Sequence, residues 1–295
     1  MELVEIFVDV LGPVLVLVVI GGMVGRRLGV PAAPLAKLAY WVIGPAFVFD
    51  ALANADLAGA VLGKMALASA VAFVAAALVG FLLSARLSAD RRAAIMTTSA
   101  YGNVGNFGLA IVVFSFDDSA RPYAAIAMVV VNGLGLILAV ASAHLDLAGV
   151  TRALRSPMTI VLVPALVVNA LEVDLPTVAD RSVGLLAGAI IPVMLLTLGI
   201  QLQDIGVPRL DLDVLRSLFA KLLVQPFVAI GVVAVMGLSD IAAGAVVLQA
   251  AMPTAVFTAV IAIELDNRPD ETATIVMVST LASVLTLPWF ILAVT

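Results

Sequence analysis

The segment Tyr101–Gly108 contains two asparagines, Asn103 and Asn106, among three glycines. Glycine loses much backbone entropy in a helix and asparagine forms competing local hydrogen bonds, so the segment predicts a helix break. The flanking residues are apolar over 91–116, long enough to span hydrocarbon. Within a membrane, non-helical backbone is tolerated only where it is buried in protein or lines a cavity. Amides beside the free N–H groups that begin the next helix would suit an anion such as a carboxylate.

A second break is predicted at Pro253, because proline removes a backbone donor and clashes with the preceding turn. Gly105 lies 12 residues after Ala93, and Pro253 lies 12 residues after Ile241. At the helical rise per residue, both breaks lie about 18 Å into their segments, near the middle of a bilayer. The candidate substrate-binding residues at the two breaks are Asn103, Gly105, Asn106, Met252, Pro253, Thr254 and Thr258.

Four more residues are candidates for proton or ion coupling: Asp50, Lys64, Lys221 and Gln249. Ionisable residues inside membrane segments indicate functional sites, although those near helix ends also snorkel to the interface, the alternative for Lys64. Asp50 is the preferred proton carrier. Lys64 and Lys221 lie at similar depths in their helices, which suits charge pairs that rearrange between two conformations. Gln249, one turn before Pro253, either satisfies the broken backbone or contacts a ligand.

The composition is that of an integral membrane protein. Hydrophobic residues make up 63% and charged residues 12%, against about 45–50% and about 25% in soluble domains. There is no cysteine, and the single histidine, His144, cannot supply the three ligands of a catalytic zinc. We therefore expect no metal and no cofactor. Without paired acids or a Ser–His arrangement the chain is not expected to be an enzyme, and without a basic patch it is not expected to bind nucleic acid.

Ten apolar stretches are long enough, or nearly so, to be membrane helices. They are 3–25, 35–54, 60–84, 91–116, 122–143, 156–171, 182–202, 214–237, 241–264 and 271–294. The loops after the odd-numbered helices carry eleven Lys and Arg residues and the opposite side carries three. The positive-inside rule then predicts a multi-pass protein of the cell membrane with both termini extracytoplasmic.

The two halves, 1–145 and 156–295, have equal helix counts and matching landmarks. Pro45 and Pro192 are 147 positions apart, and Gly105 and Pro253 are 148 apart. The predicted fold is an all-α polytopic membrane protein: ten transmembrane helices as two inverted five-helix repeats, with broken, crossing fourth and ninth helices. Inverted repeats are typical of secondary transporters, whose sites lie at the midplane between the repeats.

Two segments resemble the auxin efflux carrier family, which includes bacterial malate and malonate permeases. Residues 103–109 resemble its N-x-G-N-x-G-L-P stretch, with Ala110 in place of the proline, and residues 250–256 resemble its A-M-P-[TS]-A segment. The resemblance implies a scaffold of helices one, two, six and seven (3–54 and 156–202) and a transport unit of the other six (60–143 and 214–294). It also implies elevator-like transport of an organic anion held at Asn103, Asn106 and Pro253. More distantly the chain resembles bile acid:sodium symporters, which have a glutamate near the position of Gln249.

The leading hypothesis is a secondary active transporter, of the efflux or permease type, for a small organic anion such as a carboxylate or auxin-like acid. The alternatives are a cation/proton antiporter, for which acids beside the breaks would be needed, and a sodium-coupled organic anion symporter. An intramembrane enzyme or receptor is disfavoured because the sequence has no paired acids, no Ser–His or Cys–His arrangement and no metal cluster. The expected partners are the anion and the lipid bilayer. The sequence leaves open a homodimer, the coupling ion and the substrate.

Overall fold

The computed structural model describes residues 2–55, 59–144, 148–203, 210–238 and 240–295. In these ranges the chain is helical and contains no β-strand. The helices are α1 (Leu3–Leu28), α2 (Ala32–Ala53), α3 (Gly59–Ser84), α4a (Ala89–Ala100), α4b (Val104–Phe116), α5 (Arg121–His144), α6 (Pro157–Ala170), α7 (Thr177–Gln203), α8 (Leu212–Met236), α9a (Asp240–Ala251), α9b (Phe257–Glu264) and α10 (Pro269–Val294). A short helix, Ala148–Leu154, precedes α6. Arg209, one of the eleven Lys and Arg residues counted in the loops after the odd-numbered helices, lies outside the described residues.

Seven helices of the described chain are long and apolar enough to cross a membrane: α1, α2, α3, α5, α7, α8 and α10. The segments α4b, α6 and α9a are shorter apolar helices. The chain is thus an all-helical, multi-pass membrane protein, while the ten-span inverted repeat stays a prediction. The largest boundary difference is at α7, which begins five residues before predicted position 182. Its first turns carry Asp180 and Arg181, which lowered the hydropathy there.

Three helices contain a widened, π-helical turn just before a proline. The π-helical turns are Ile6–Leu11, Ala39–Ile43 and Phe219–Val224, and the prolines two residues later are Pro13, Pro45 and Pro226. A proline ring clashes with the carbonyl four residues earlier and leaves it without its usual donor. In each case that carbonyl belongs to the widened turn. The wider turn lets α1, α2 and α8 continue past proline instead of ending there.

The helices pack in two groups. In the first group, α1 packs on α7, and α2 packs on both α6 and α7. In the second group, α3 packs on α4a, α5 and α8, and α9a packs on α5, α8 and α10. The α1–α7 contact depends on glycine, since a Cβ on Gly199 would collide with the carbonyl of Val18, and one on Gly21 with that of Leu196. Small residues of this kind let membrane helices approach closely.

Candidate substrate site at two broken helices

The fourth and ninth helices are interrupted where the sequence predicts. The first break is Tyr101–Asn103, between α4a and α4b, and the second covers 252–256, between α9a and α9b. Asn103 has an irregular backbone, with φ −78° and ψ 59°, and is followed by a wide turn, Val104–Gly108. The glycines and amides of the first segment and the proline of the second therefore end the helices locally, as expected from their backbone preferences.

The two breaks satisfy each other through their backbones. The N–H of Asn103 donates to the carbonyl of Pro253 at 2.7 Å, and the N–H of Ala255 donates to the carbonyl of Tyr101 at 2.8 Å. Gly102 and Thr254 lie opposite one another in this short antiparallel pairing. Hydrocarbon offers no partners to exposed backbone groups. Each interruption is thus tolerated because the other lies against it.

A lysine and a glutamine of α8 satisfy the carbonyl ends of both interrupted helices. Lys221 is 0% exposed. Its Nζ donates to the carbonyl of Ala250 at 2.8 Å and to Oε1 of Gln225. Gln225 Nε2 donates in turn to the carbonyl of Ala100 at 3.2 Å. The last turns of α4a and α9a, whose carbonyls would lack partners, are therefore joined through α8.

Sequence reasoning selected Lys221 as a coupling candidate but missed Gln225. The four-residue spacing that places both side chains on one helix face was a usable signal, as was the proline that follows Gln225. Neither signal indicates that the partners would be carbonyls of two other helices.

The free polar groups of the site belong mainly to the first break. Asn103 is 4% exposed, and its Nδ2 has no hydrogen-bond partner in the described part of the chain. Its carbonyl accepts from the N–H groups of Phe107 and Gly108 at 3.3 and 2.9 Å. The N–H groups of Gly105 and Asn106 donate to no acceptor among the described residues, and both residues are half-buried. The start of α4b thus presents unused donors, which favour a negatively charged ligand.

Gln249 is 2% exposed, and neither its Oε1 nor its Nε2 has a partner among the described residues. It lies against Gly108 and Met252, and any Cβ on Gly108 would collide with Gln249 Oε1. The sequence left two roles open for Gln249: a partner for the broken backbone, or a contact for a ligand. Gln249 donates to no carbonyl among the described residues, so the first role has no support in the structure. An unpaired buried amide costs about 1–3 kcal/mol, which favours ligand contact.

The hydroxyls of the second break are already used within the protein. Thr254 Oγ1 donates to the carbonyl of Thr98 at 2.8 Å, and its N–H donates to Oγ of Ser279 at 3.1 Å. Thr258 Oγ1 donates to the carbonyl of Ala255 at 2.7 Å. The structure therefore brings all seven candidate binding residues to the two breaks, but it gives the two threonines internal partners.

Aromatic and thioether side chains lie beside the breaks. The Tyr101 hydroxyl donates to Asn132 Oδ1 at 3.2 Å. The Phe257 ring contacts the rings of both Tyr101 and Tyr40, with centroids 6.5 and 6.3 Å away. A Cβ on Gly105 would lie 3.2 Å from Met194 Cε and 3.7 Å from Met128 Sδ. Met194 belongs to α7 and Tyr40 to α2, so sequence spacing gave no signal for either.

The other charged candidates have different surroundings. Asp50 forms an ion pair with Arg121 at 3.0 Å, and the Arg121 guanidinium lies over the Phe47 ring. This is the one ion pair among the described residues that links the two helix groups. Lys64 is exposed on α3, in contrast to the fully buried Lys221. The two lysines therefore differ in burial, because α3 turns position 64 away from its neighbours, and the similar depth predicted for them stays a prediction.

Apolar spans together with two interrupted helices that pair with each other are features of multi-pass membrane transporters. A family model described as "Membrane transport protein" matches residues 144–291, half of the chain. The chain therefore belongs to this auxin efflux carrier-like membrane transport family, as the motifs predict. It is also similar to an "Uncharacterized transporter" of Methanothermobacter thermautotrophicus, 27% identical over 291 residues, covering 93% of this chain and 94% of the relative. The resemblance to bile acid:sodium symporters is not shown by these matches.

Proposed function

We propose that this protein is a secondary active transporter that carries a small organic anion, such as a carboxylate, across the cell membrane. The observation that carries the proposal is the unpartnered, buried Nδ2 of Asn103 beside the unused N–H groups of Gly105 and Asn106. A carboxylate accepts several such donors, and hydrogen bonds to a charged acceptor are stronger than those to a neutral one.

The electrostatics of the breaks support an anion rather than a cation. Helix N-termini carry a partial positive charge, and α4b and α9b both begin at the pairing. A cation/proton antiporter or sodium symporter would instead use carboxylates beside the breaks, because hard cations favour charged oxygen ligands. The described side chains at the pairing are amides, hydroxyls and Lys221.

The two helix groups support an elevator-like mechanism. We propose that α1, α2, α6 and α7 form a scaffold, and that the other six helices form a transport unit that moves with the bound anion. The groups meet where α2 packs on α5 and where α7 packs on the start of α4b. The ten spans would form two inverted five-helix repeats with both termini extracytoplasmic. The fourth and ninth helices are each interrupted after twelve residues, and the two interruptions form the site together. This correspondence supports the inverted repeat.

Radiolabelled carboxylate uptake into proteoliposomes tests the proposal. Asn103→Ala should lower uptake at least about tenfold, because a hydrogen bond to a charged group contributes about 1.5–3 kcal/mol. Asn54→Ala is the matched control, since Asn54 is exposed at the end of α2. Uptake should stay at the wild-type level in the control. Equal uptake by Asn103→Ala and wild type would overturn the site assignment, and sodium-dependent uptake would favour the symporter alternative.

A further inference from the structure

Lys221 is a buried cation without an acidic partner in the described part of the chain. It is fully inaccessible, and its ammonium group donates to one backbone carbonyl and one amide oxygen. A cation in a membrane protein interior is costly unless another charge or strong dipole compensates it. The groups that offset the charge of Lys221 therefore determine how much charge the rest of the site can offer to a ligand.

The compensating groups are the carbonyl ends of two helices. Lys221 contacts the last turn of α9a directly, through Ala250, and Gln225 extends the contact to the last turn of α4a, at Ala100. Each helix C-terminus is equivalent to about half a negative charge. The two ends together offset about one positive charge, which matches the single ammonium group.

The two N-terminal ends at the same pairing have backbone carbonyls as partners for some of their N–H groups, but they have no charged side chain as a partner in the described part of the chain. Each start, of α4b and of α9b, is equivalent to about half a positive charge, so together they amount to about one. No described acidic side chain is hydrogen-bonded or ion-paired to the residues of the pairing. The unpartnered Asn103 Nδ2 lies at the first of these ends, and the unpartnered Gln249 amide lies against Gly108 of the same turn.

We infer that the site binds one unit of negative charge, so its ligand is a singly charged carboxylate rather than a dicarboxylate. In this proposal Lys221 does not contact the ligand. It is a positioning residue, because it neutralises the carbonyl ends of α4a and α9a and leaves the positive ends of α4b and α9b for the ligand. The inference rests on the proposed function and narrows it. A second carboxylate on the same ligand would be buried without a matching positive charge.

Acids built on the same four-carbon chain, with one or two free carboxylates, separate these possibilities. Purified protein in detergent is titrated with butanoate, monomethyl succinate and succinate at about pH 7.5, and binding is followed by thermal shift. The same acids are tested as inhibitors of radiolabelled carboxylate uptake into proteoliposomes. We expect both monoanions to bind at least about tenfold more tightly than succinate, since an uncompensated buried charge is strongly disfavoured. Lowering the pH should bring succinate toward butanoate, because its two carboxyl groups titrate in separate steps.

The failures of the inference and of the proposed function are distinguishable. Succinate binding as tightly as butanoate at about pH 7.5 would overturn the inference while leaving an organic anion carrier in place. Absence of binding and uptake for all three acids, when a wider set of carboxylates is also inactive, would overturn the proposed function itself. Lys221→Gln removes the internal charge, and it should weaken both monoanions at least about tenfold if it folds. The wild-type titration does not depend on that variant.

Discussion

The two breaks occupy matching positions in the two halves of the chain, yet their polar groups are used differently. At the second break, the Thr254 hydroxyl and N–H both have protein partners, and so does the Thr258 hydroxyl. At the first break, Asn103 Nδ2 and the N–H groups of Gly105 and Asn106 have none among the described residues. In the transporter proposed above, this difference would be a division of labour in which the second break supports the first and the first is left free for a ligand.

The same difference explains why one break is rich in glycine and the other has proline. Gly102 and Gly108 lie where a side chain would press on Lys221 or collide with Gln249. Pro253 ends α9a and presents its carbonyl to Asn103. Close approach needs glycine, whereas a helix that only has to end at a fixed place is ended well by proline.

The largest expected effect comes from Lys221, which serves both breaks. Lys221→Met should lower the free energy of unfolding by about 2–6 kcal/mol and abolish uptake, because it leaves two buried acceptors, Gln225 Oε1 and the carbonyl of Ala250, without their donor, at about 1–3 kcal/mol each. Lys64→Met is the matched control, and a change within about 0.5 kcal/mol is expected for this exposed lysine. Thermal unfolding in detergent and uptake measure both. Equal destabilisation by the two variants would contradict the role given to α8.

The next largest effect distinguishes residues that support the breaks from residues that bind the ligand. Thr254→Val should lower the free energy of unfolding by about 1–3 kcal/mol, because it leaves the carbonyl of Thr98 without its donor in the interior. Thr258→Val should cost less than about 1 kcal/mol, since its hydroxyl bonds only within its own turn. Asn103→Ala removes an unpaired buried amide, so the free energy of unfolding should not fall, whereas uptake should. If Thr254→Val instead lowered anion affinity at unchanged stability, the division of labour between the breaks would be wrong.

The smallest expected effect concerns the ion pair between the helix groups. Asp50→Asn and Arg121→Gln should each alter the uptake rate by about two- to fivefold, because a partly exposed pair contributes at most about 1 kcal/mol. The exchange Asp50→Arg with Arg121→Asp keeps the pair and should restore the rate, which initial-rate measurements check. A loss of uptake that only Asp50 variants show, and that the exchange does not repair, would return Asp50 to the role of proton carrier.

The sequence predicted the elements and the breaks because these depend on local chemistry. Proline and clustered glycine end a helix wherever it packs, so residues 101–108 and Pro253 were identifiable without a fold. Partners were not predictable, because they come from distant helices. Gln225, Tyr40 and Met194 reach the breaks from α8, α2 and α7, and the ion pair of Asp50 with Arg121 depends on where α5 begins. The unpaired state of Gln249 likewise depends on the close approach of Gly108.

The pairing of the breaks also bears on how the chain is made. Thr254 donates to the carbonyl of Thr98 from 156 positions further along the chain. During synthesis, α4a and α4b are made before the residues that satisfy the break between them have been translated. Unpaired backbone in hydrocarbon is unstable, and the first break gains its partners only after α9a and the residues that follow it have been synthesised. The pairing of the two breaks is therefore completed late in synthesis.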